Sequence, residues 1–271
     1  MTTSAPITAG ALDLWVERRG EGPDVLLIAG LGDPAEAWQP QLDGLADRYR
    51  VTAFDNRGVG RTPPPTGALT VAGMADDAAA LVRALDLPAV HVGGFSMGSL
   101  IAQELALRHP GLVRSLVLMS TYARADALLR AQLDLWRWLP AAAPDARAFF
   151  DAFFTWVYTP RAHSDGTVDR LVAEALAFPH QQTVEAFQAQ VDACRAHDTA
   201  DRLARIAAPT LVLAGELDAI VPPRLGRFVA ERIPGARFEL MAGEAHQPFQ
   251  ERPGEFNSRV DAFWRELRSR G

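Results

Sequence analysis

Cysteine is scarce in this sequence, since Cys194 is the single one among 271 residues. An intramolecular disulfide is therefore excluded. Cys194 lies in a segment of helical pattern, residues 184–196, and no sequence signature of a catalytic thiol surrounds it. We interpret it as a packed or surface thiol. The six histidines show no metal-ligand spacing, so neither a metal nor another cofactor is expected.

Basic clusters and long apolar runs are also missing. The 27 Lys and Arg residues are outnumbered by 33 Asp and Glu residues, and no basic stripe is present, which argues against a nucleic-acid partner. No apolar run is long enough to span a membrane. Residues 1–6 lack the basic and then apolar pattern of a secretory signal. We expect a cytoplasmic protein with neither nucleic acid nor membrane as partner, and a homodimer is left open.

Short apolar runs alternate with segments of helical periodicity along most of the chain. After an initial strand pair within residues 7–19, the predicted strands are 25–28, 51–54, 89–93, 115–119, 209–215 and 237–240. A helix is predicted from about 35 to 47, between the predicted strands 25–28 and 51–54. Alternation of buried strands with helices indicates a mostly parallel sheet that helices cover on both faces. The predicted fold class is therefore α/β.

The alternation of strands and helices stops in the middle of the chain. From about 123 to 206 the pattern is helical only, and strand patterns return at Pro209. We predict a core domain formed by 1–121 and 207–271. Residues 122–206, named here the lid segment, are predicted to form a helical lid inserted into that core.

The most informative stretch is the sequence Gly-Phe-Ser-Met-Gly at residues 94–98, between a predicted strand and a predicted helix. A serine flanked by glycines in this context fits a nucleophile elbow, where a tight turn holds the hydroxyl group out at the end of the strand. Glycine tolerates the dihedral angles and the close approach that such a turn needs. Ser96 is therefore the candidate nucleophile. The alternative is a plain turn between strand and helix.

A serine hydroxyl group needs a base to take its proton, and that base needs an acid to orient it. His246 is the candidate base because it lies in a loop directly after a predicted strand. Such loops project from the carboxyl edge of the sheet, where α/β proteins bind ligands. Asp218 also follows a strand, and it is the candidate acid. Glu216 and Asp126 are the alternatives for this role.

Catalysis of acyl transfer also needs amide groups that stabilise the charge on the former carbonyl oxygen. One should come from Met97, directly after Ser96 and at a helix N-terminus. The other is assigned to Leu31, because glycines on both sides let the backbone approach the site closely.

Together these motifs resemble the α/β-hydrolase family over nearly the whole chain. The resemblance implies an eight-stranded sheet with a helical cap after the sixth strand, and Ser96, His246 and Asp218 as catalytic triad. The branch it resembles contains lid-bearing serine esterases, enol-lactonases and cofactor-free haloperoxidases. One departure is Ala29, where many members carry histidine before the first glycine of residues 30–32, named here the oxyanion loop, so the outer support of this loop must differ. The motifs in order are residues 30–32, 55–60, 94–98, 215–222 and 243–246, the last followed by Glu-Arg-Pro at 251–253.

Aromatic residues are concentrated in the lid segment. We expect some of them to cover an apolar pocket above Ser96, with Trp38, Phe95, Trp136 and Phe153 as substrate-binding residues. The alternative is that these aromatics only pack the lid segment onto the core.

The predicted function is a serine hydrolase that cleaves a carboxylic ester or lactone of a small, mainly apolar substrate. Other reactions on the same triad are left open, namely carbon–carbon bond hydrolysis, perhydrolysis and a biosynthetic cyclisation. The alternative from another class is a ligand receptor without catalytic activity, since a fold does not fix a function.

Overall fold

The computed structural model describes residues 2–64 and 66–269. In the described residues, eight strands form one sheet: β1 Thr2–Ala9, β2 Leu12–Arg19, β3 Asp24–Ile28, β4 Arg50–Phe54, β5 Val90–Phe95, β6 Val113–Met119, β7 Thr210–Gly215 and β8 Arg237–Met241. Their order is β1-β2-β4-β3-β5-β6-β7-β8. Strand β2 pairs antiparallel with β1 and β4, and the other neighbouring strands are parallel. The predicted α/β fold with an eight-stranded, mostly parallel sheet is confirmed.

Helices cover both faces of this sheet. They are α1 Gln39–Gly44, α2 Val71–Ala84, α3 Met97–Arg108, α4 Ala127–Ala142, α5 Ala146–Val157, α6 Pro160–Ser164, α7 Thr167–Ala177, α8 Val184–Ala196, α9 Pro223–Ala230, α10 Pro248–Glu251 and α11 Pro253–Ser269. Successive side chains of a strand point to opposite faces. Accordingly, Leu26 and Ile28 of β3 join the apolar cluster beneath α2 and α3, while Val25 and Leu27 join the cluster beneath α1 and α11.

The helix predicted over 35–47 was wrong in its extent. The structure has a 3-10 turn over Ala35–Trp38 and then the short α1. Pro40 has no amide hydrogen and is favoured in the first turn of a helix, so a new helix begins there instead of the old one continuing. Leu45, already outside α1, ends the segment with its amide bonded to the carbonyl of Gln41.

The lid segment holds α4 to α8, and its chain connects β6 to β7. Helix α4 packs on α8, and α5 packs on α7. A single β-bridge joins Arg124 to Asp198 within this segment. In the described part of the chain, no helix combines the length and the apolar character needed to cross a membrane.

Candidate active site

The turn at Ser96 is strained in the way that a nucleophile elbow requires. Ser96 follows β5 and precedes α3. Its backbone has φ +50° and ψ -119°, a conformation that residues other than glycine rarely adopt. A Cβ atom on Gly94 would lie 2.3 Å from the carbonyl oxygen of Gly98, and one on Gly98 would lie 2.0 Å from that of Ile28. Both glycines are therefore needed for the turn to close. Strain of this kind persists where surrounding structure enforces it, often at functional sites.

The structure brings the three predicted triad residues together. The Nε2 atom of His246 lies 3.0 Å from the Oγ atom of Ser96, and its Nδ1 atom lies 2.8 Å from Oδ2 of Asp218. The side chains of His246 and Asp218 are only 5% and 0% exposed. Asp218 Oδ1 accepts the amide hydrogens of Ile220 and Val221, at 3.0 Å and 2.8 Å. These bonds fix the carboxylate, so that Nδ1–H of His246 donates to Oδ2 and Nε2 can accept the hydroxyl proton.

The loop that carries His246 is held from two sides. The amide group of His246 donates to the carbonyl of Val157, the last residue of α5, at 3.0 Å. The hydroxyl group of Ser120, just after β6, donates to the carbonyl of His246 at 3.0 Å. The ring of Phe95 contacts the imidazole edge-on, with 4.9 Å between the ring centroids. The position of the imidazole thus depends on both the sheet and the lid segment.

Glu216 and Asp126, the alternatives to Asp218, make other contacts. Glu216 accepts the amide hydrogen of Gly243 at 2.9 Å and is exposed. Asp126 caps the N-terminus of α4 by accepting the amide hydrogen of Leu129, and it pairs with Arg224 at 2.6 Å. Asp218 is therefore the carboxylate that contacts His246.

Two other histidines are buried in the structural core. The Nδ1 atom of His91 lies 2.8 Å from the hydroxyl oxygen of Ser115, and its ring packs against Trp264. His197 lies 3.3 Å from the hydroxyl oxygen of Thr199. Burial lowers the pKa of each histidine to about 4, so both are neutral near pH 7.

The two predicted oxyanion donors lie on chain segments that touch. Met97 is the first residue of α3, so its amide hydrogen has no carbonyl partner within the helix. The carbonyls of Ile28 and Ala29, at the end of β3, press against Gly98. Leu31 follows in the same loop, where the next amide, that of Gly32, donates to Oε1 of Gln190 at 3.0 Å.

The predicted oxyanion loop carries Ala29 before Gly30, and polar side chains bond to the backbone around it. Asn56 donates from Nδ2 to the carbonyl of Ala29 at 3.2 Å, and Asp55 accepts the amide hydrogen of Ala35 at 2.7 Å. Gln190 of α8, which is fully buried, also donates to the carbonyl of Arg57 at 3.2 Å. The lid segment therefore joins the oxyanion loop to the loop after β4.

A cavity of about 490 Å³ lies between the oxyanion loop and the lid segment. Leu31 and Gly32 form part of its wall, and so does Phe153, one of the four residues predicted to bind substrate. Its other aromatic lining residues are Phe149, Phe150, Phe154, Tyr158, Phe178 and Phe187. The cavity is thus mainly apolar and of the size of a small-molecule site.

Three of the four residues predicted to bind substrate, Trp38, Phe95 and Trp136, are not among the residues that line this cavity. Trp38 is buried on the other face of the sheet, where it stacks on Phe249 with 4.3 Å between the ring centroids. Phe95 packs edge-on against the imidazole of His246. Trp136 packs against Phe153, with 4.8 Å between the ring centroids. Large apolar residues fill the core wherever space allows, and sequence position alone does not separate core from cavity wall.

Sequence reasoning missed Asp33. This residue lies two positions after Leu31 and lines the cavity, and its Oδ2 atom accepts a hydrogen bond from Gln247 at 3.1 Å. Burial raises the pKa of Asp33 to about 7, although the charge of His246 and the bond from Gln247 act in the opposite direction. Its place directly after the glycines of the oxyanion loop was the one available signal.

Sequence reasoning also missed an ion-pair cluster that ties α6 to the loop of His246. Arg161 donates to both carboxylate oxygens of Glu244, at 3.1 Å and 3.0 Å, and to Glu251 at 3.1 Å. Thr159 donates to Glu251 through both its amide and its hydroxyl group. The side chains of Glu244 and Glu251 are almost fully buried.

Comparison with known proteins identifies the family to which this chain belongs. A family model described as the alpha/beta hydrolase fold matches residues 23–253. Among curated relatives, the protein named "Putative carbamate hydrolase RutD" from Azorhizobium caulinodans is 36% identical over 262 residues, covering 95% of this chain and 97% of that protein.

Two solved structures are similar over almost their whole length. That of "Putative non-heme bromoperoxidase BpoC" from Mycobacterium tuberculosis has a TM-score of 0.85 and 32% identity, covering 94% of this chain and 96% of that one. The enol-lactonase from Burkholderia xenovorans has a TM-score of 0.86 and 26% identity, covering 96% of this chain and 99% of that one. Since the family model spans most of the sequence and these relatives cover nearly all of it, the chain belongs to the alpha/beta-hydrolase family of enzymes.

Proposed function

We propose that this protein is a serine hydrolase that cleaves a carboxylic ester or a lactone of a small, mainly apolar substrate. The observation that carries the proposal is the continuous chain of hydrogen bonds from Ser96 through His246 to Asp218, at 3.0 Å and 2.8 Å. A serine hydroxyl group becomes a useful nucleophile when a base oriented in this way accepts its proton.

In the proposed reaction, Ser96 Oγ attacks the substrate carbonyl while His246 Nε2 takes the hydroxyl proton. The carbon becomes tetrahedral, and the negative charge on its oxygen is stabilised by the amide hydrogens of Leu31 and Met97. His246 then gives its proton to the leaving alcohol, which departs and leaves an acyl group on Ser96. Water attacks this acyl-enzyme by the same route, releasing the acid. Throughout, Asp218 stabilises the imidazolium that forms.

The size and the lining of the cavity support a substrate with a compact and largely apolar acyl or lactone group. Its volume is about 490 Å³, and its wall is mostly phenylalanine and aliphatic side chains. Apolar groups gain about 25 cal/mol per Å² when they leave water, so a wall of this kind favours hydrocarbon over charged chains.

Hydrolysis of a carbamate is the second candidate. The observation that favours it is the similarity to the carbamate hydrolase named above, at 36% identity over nearly the whole chain. A carbamate carbonyl is open to the same attack by Ser96, and only the leaving group or the atom beside the carbonyl differs. The names of the other relatives, a bromoperoxidase and an enol-lactonase, leave perhydrolysis open and are the reason why lactones are included in the test.

The test is hydrolysis of p-nitrophenyl butyrate, a panel of lactones and p-nitrophenyl carbamates by the wild type and the Ser96→Ala variant. We expect turnover that depends on Ser96, and covalent labelling of Ser96 by a fluorophosphonate probe, seen as added mass on the peptide that contains it. Ser258→Ala changes an exposed serine of α11 and is the matched control. Full turnover by Ser96→Ala would contradict the proposal, because another group would then be the nucleophile. Neither turnover nor labelling of the wild type would also contradict it, and would favour a receptor without catalytic activity.

A further inference from the structure

Asp33 is a carboxyl group near His246 that the proposed triad does not use. Its Oδ2 atom accepts from Gln247, the neighbour of His246. A Cβ atom on Gly30 would lie 2.9 Å from the same oxygen, so the carboxyl group folds over the residue that precedes Leu31. Asp33 therefore lies between the oxyanion loop and the base, and it faces the cavity.

The other carboxylates of the cavity wall are already occupied. Glu36 pairs with Arg61 at 2.6 Å, and Glu174 pairs with Arg170 at 2.7 Å. Asp145 caps α5 by accepting the amide hydrogen of Ala148 at 2.8 Å.

No arginine is among the described residues that line the cavity. Asp33 has the neutral side-chain amide of Gln247 and the backbone of Gly30 as its hydrogen-bond partners, and among the described residues no guanidinium group is paired with it. The ionised form of Asp33 therefore adds a negative charge to a wall whose described lining residues include no arginine or lysine.

The titratable groups that face Asp33 come from two neighbouring loops. His246 lies on the loop after β8, and its positive form favours ionised Asp33. Tyr158, directly after α5, lines the same cavity and donates to Gln250 at 2.7 Å. Burial, together with the charge of Asp33, raises the pKa of Tyr158 well above its ordinary value, so this phenol stays neutral. His180 lies exposed at the rim of the cavity.

Asp33 is partly exposed because it faces the cavity, but protein surrounds it on the other sides. This burial disfavours the charged form and raises the pKa of Asp33 to about 7. Below that pH the group is a neutral hydrogen-bond donor. Above it, the group is a carboxylate that repels other anions across a medium of low polarity.

We propose that Asp33 sets the charge selectivity of the cavity: it admits uncharged acyl groups and excludes acyl groups that carry a carboxylate, more strongly when it is ionised. This inference rests on the proposed ester hydrolysis and narrows its substrate class. An anionic substrate in the same cavity favours protonated Asp33, and by linkage the discrimination against that substrate grows as Asp33 loses its proton.

The experiment compares two esters of equal chain length, p-nitrophenyl hexanoate and mono-p-nitrophenyl adipate, which carries a terminal carboxylate. The ratio of their kcat/KM values removes the titration of the triad, because both substrates use the same Ser96 and His246. We expect the ratio of hexanoate to adipate to rise about tenfold between about pH 6 and about pH 8 in the wild type. In Asp33→Asn, which keeps the shape and a hydrogen-bond donor, we expect the ratio to stay flat.

His180→Gln is the matched control, because it removes the imidazole at the rim, and it should keep the rise in the ratio. A flat ratio in the wild type, or a rise that persists in Asp33→Asn, would overturn the role of Asp33. These outcomes differ from failure of the proposed function, in which neither ester is hydrolysed.

A binding measurement keeps the inference testable in that case. Calorimetry with Ser96→Ala should show that affinity for hexanoate, relative to hexanamide, falls between the same two pH values. The fall should be absent in Ser96→Ala combined with Asp33→Asn. Equal pH dependence in the single and the combined variant would also overturn the inference.

Discussion

The amide group of Gly32 donates a hydrogen bond to the buried side chain of Gln190, over 3.0 Å and across 158 positions of sequence. One residue belongs to the oxyanion loop and the other to α8 of the lid segment. The lid segment thus contacts the proposed reaction centre through a polar bond as well as through its aromatic wall.

Gln190→Met should lower kcat for ester hydrolysis by about tenfold, with little change in KM. Methionine keeps the volume of the side chain but leaves the amide of Gly32 without its acceptor, so the neighbouring amide of Leu31 is less firmly placed. Steady-state kinetics with p-nitrophenyl butyrate measures this. Gln188→Met is the matched control, because Gln188 lies on the same helix and donates to the carbonyl of Arg137 instead. Equal losses in the two variants would show that Gln190 only packs the helix.

Asp218→Asn should lower kcat/KM by about 1,000-fold or more. An amide in this place favours the wrong tautomer of His246 and no longer stabilises the imidazolium. Glu216→Gln should keep activity close to the wild type, since Glu216 bonds to the backbone of Gly243 and not to His246. Parallel kinetics of the two variants would decide between the two acids that follow β7, and a larger loss in Glu216→Gln would reverse the assignment.

Gly98→Ala should destabilise the protein by about 1–3 kcal/mol and abolish hydrolysis. The added Cβ atom would meet the carbonyl oxygen of Ile28 at 2.0 Å, so the elbow and the end of β3 must move apart. Denaturant unfolding and kinetics measure the two effects. Gly254→Ala is the control, because a Cβ atom there meets nothing within 4 Å and the residue is exposed. It should stay within about 0.5 kcal/mol of the wild type.

Arg161→Met should cost about 2 kcal/mol of unfolding free energy near pH 8, and less near pH 5. The substitution removes the cation that pairs with the buried carboxylate of Glu251, and it leaves Glu244 with Arg252 alone, at 3.4 Å. Burial already raises the pKa of Glu251, while Thr159 and Arg161 act against this rise. A folded state that holds this proton more firmly than the unfolded chain is favoured at low pH, and the advantage declines as the pH rises above the ordinary range of a glutamate.

Urea unfolding at both pH values measures that effect. Arg170→Met is the control, because its partner Glu174 is exposed on the same helix. It should cost less than about 0.5 kcal/mol at either pH. A pH-independent loss in Arg161→Met would show that the arginine contributes through packing alone.

The sheet could be predicted from sequence because buried parallel strands are short apolar runs and because turns follow them directly. The meeting of Ser96, Asp218 and His246 follows from the same pattern, since carboxyl ends of parallel strands share one edge of the sheet. Local signals near each residue were enough, although 150 positions separate the serine from the histidine.

The cavity wall and its polar groups could not be predicted in this way. Trp38 and Phe153 are both aromatic residues near predicted helices, and only the packing of distant helices puts the first in the core and the second in the wall. Gln190 had no local pattern that marked it, because its two backbone partners, Gly32 and Arg57, lie in loops more than 130 positions away. The pKa of Asp33 depends on burial that no neighbouring residue in sequence reveals.

The bond between the backbone amide of His246 and the carbonyl of Val157 limits how this enzyme can be remodelled. A backbone carbonyl is present whatever side chain stands there, so position 157 tolerates mutation more readily than deletion. A chimera that receives foreign helices in place of α4 and α5 must therefore keep the register of the chain at the last turn of α5. An insertion of one residue within α5 would rotate this carbonyl by about 100° around the helix axis. The amide of His246 would then lose its acceptor, and the imidazole would be held less firmly.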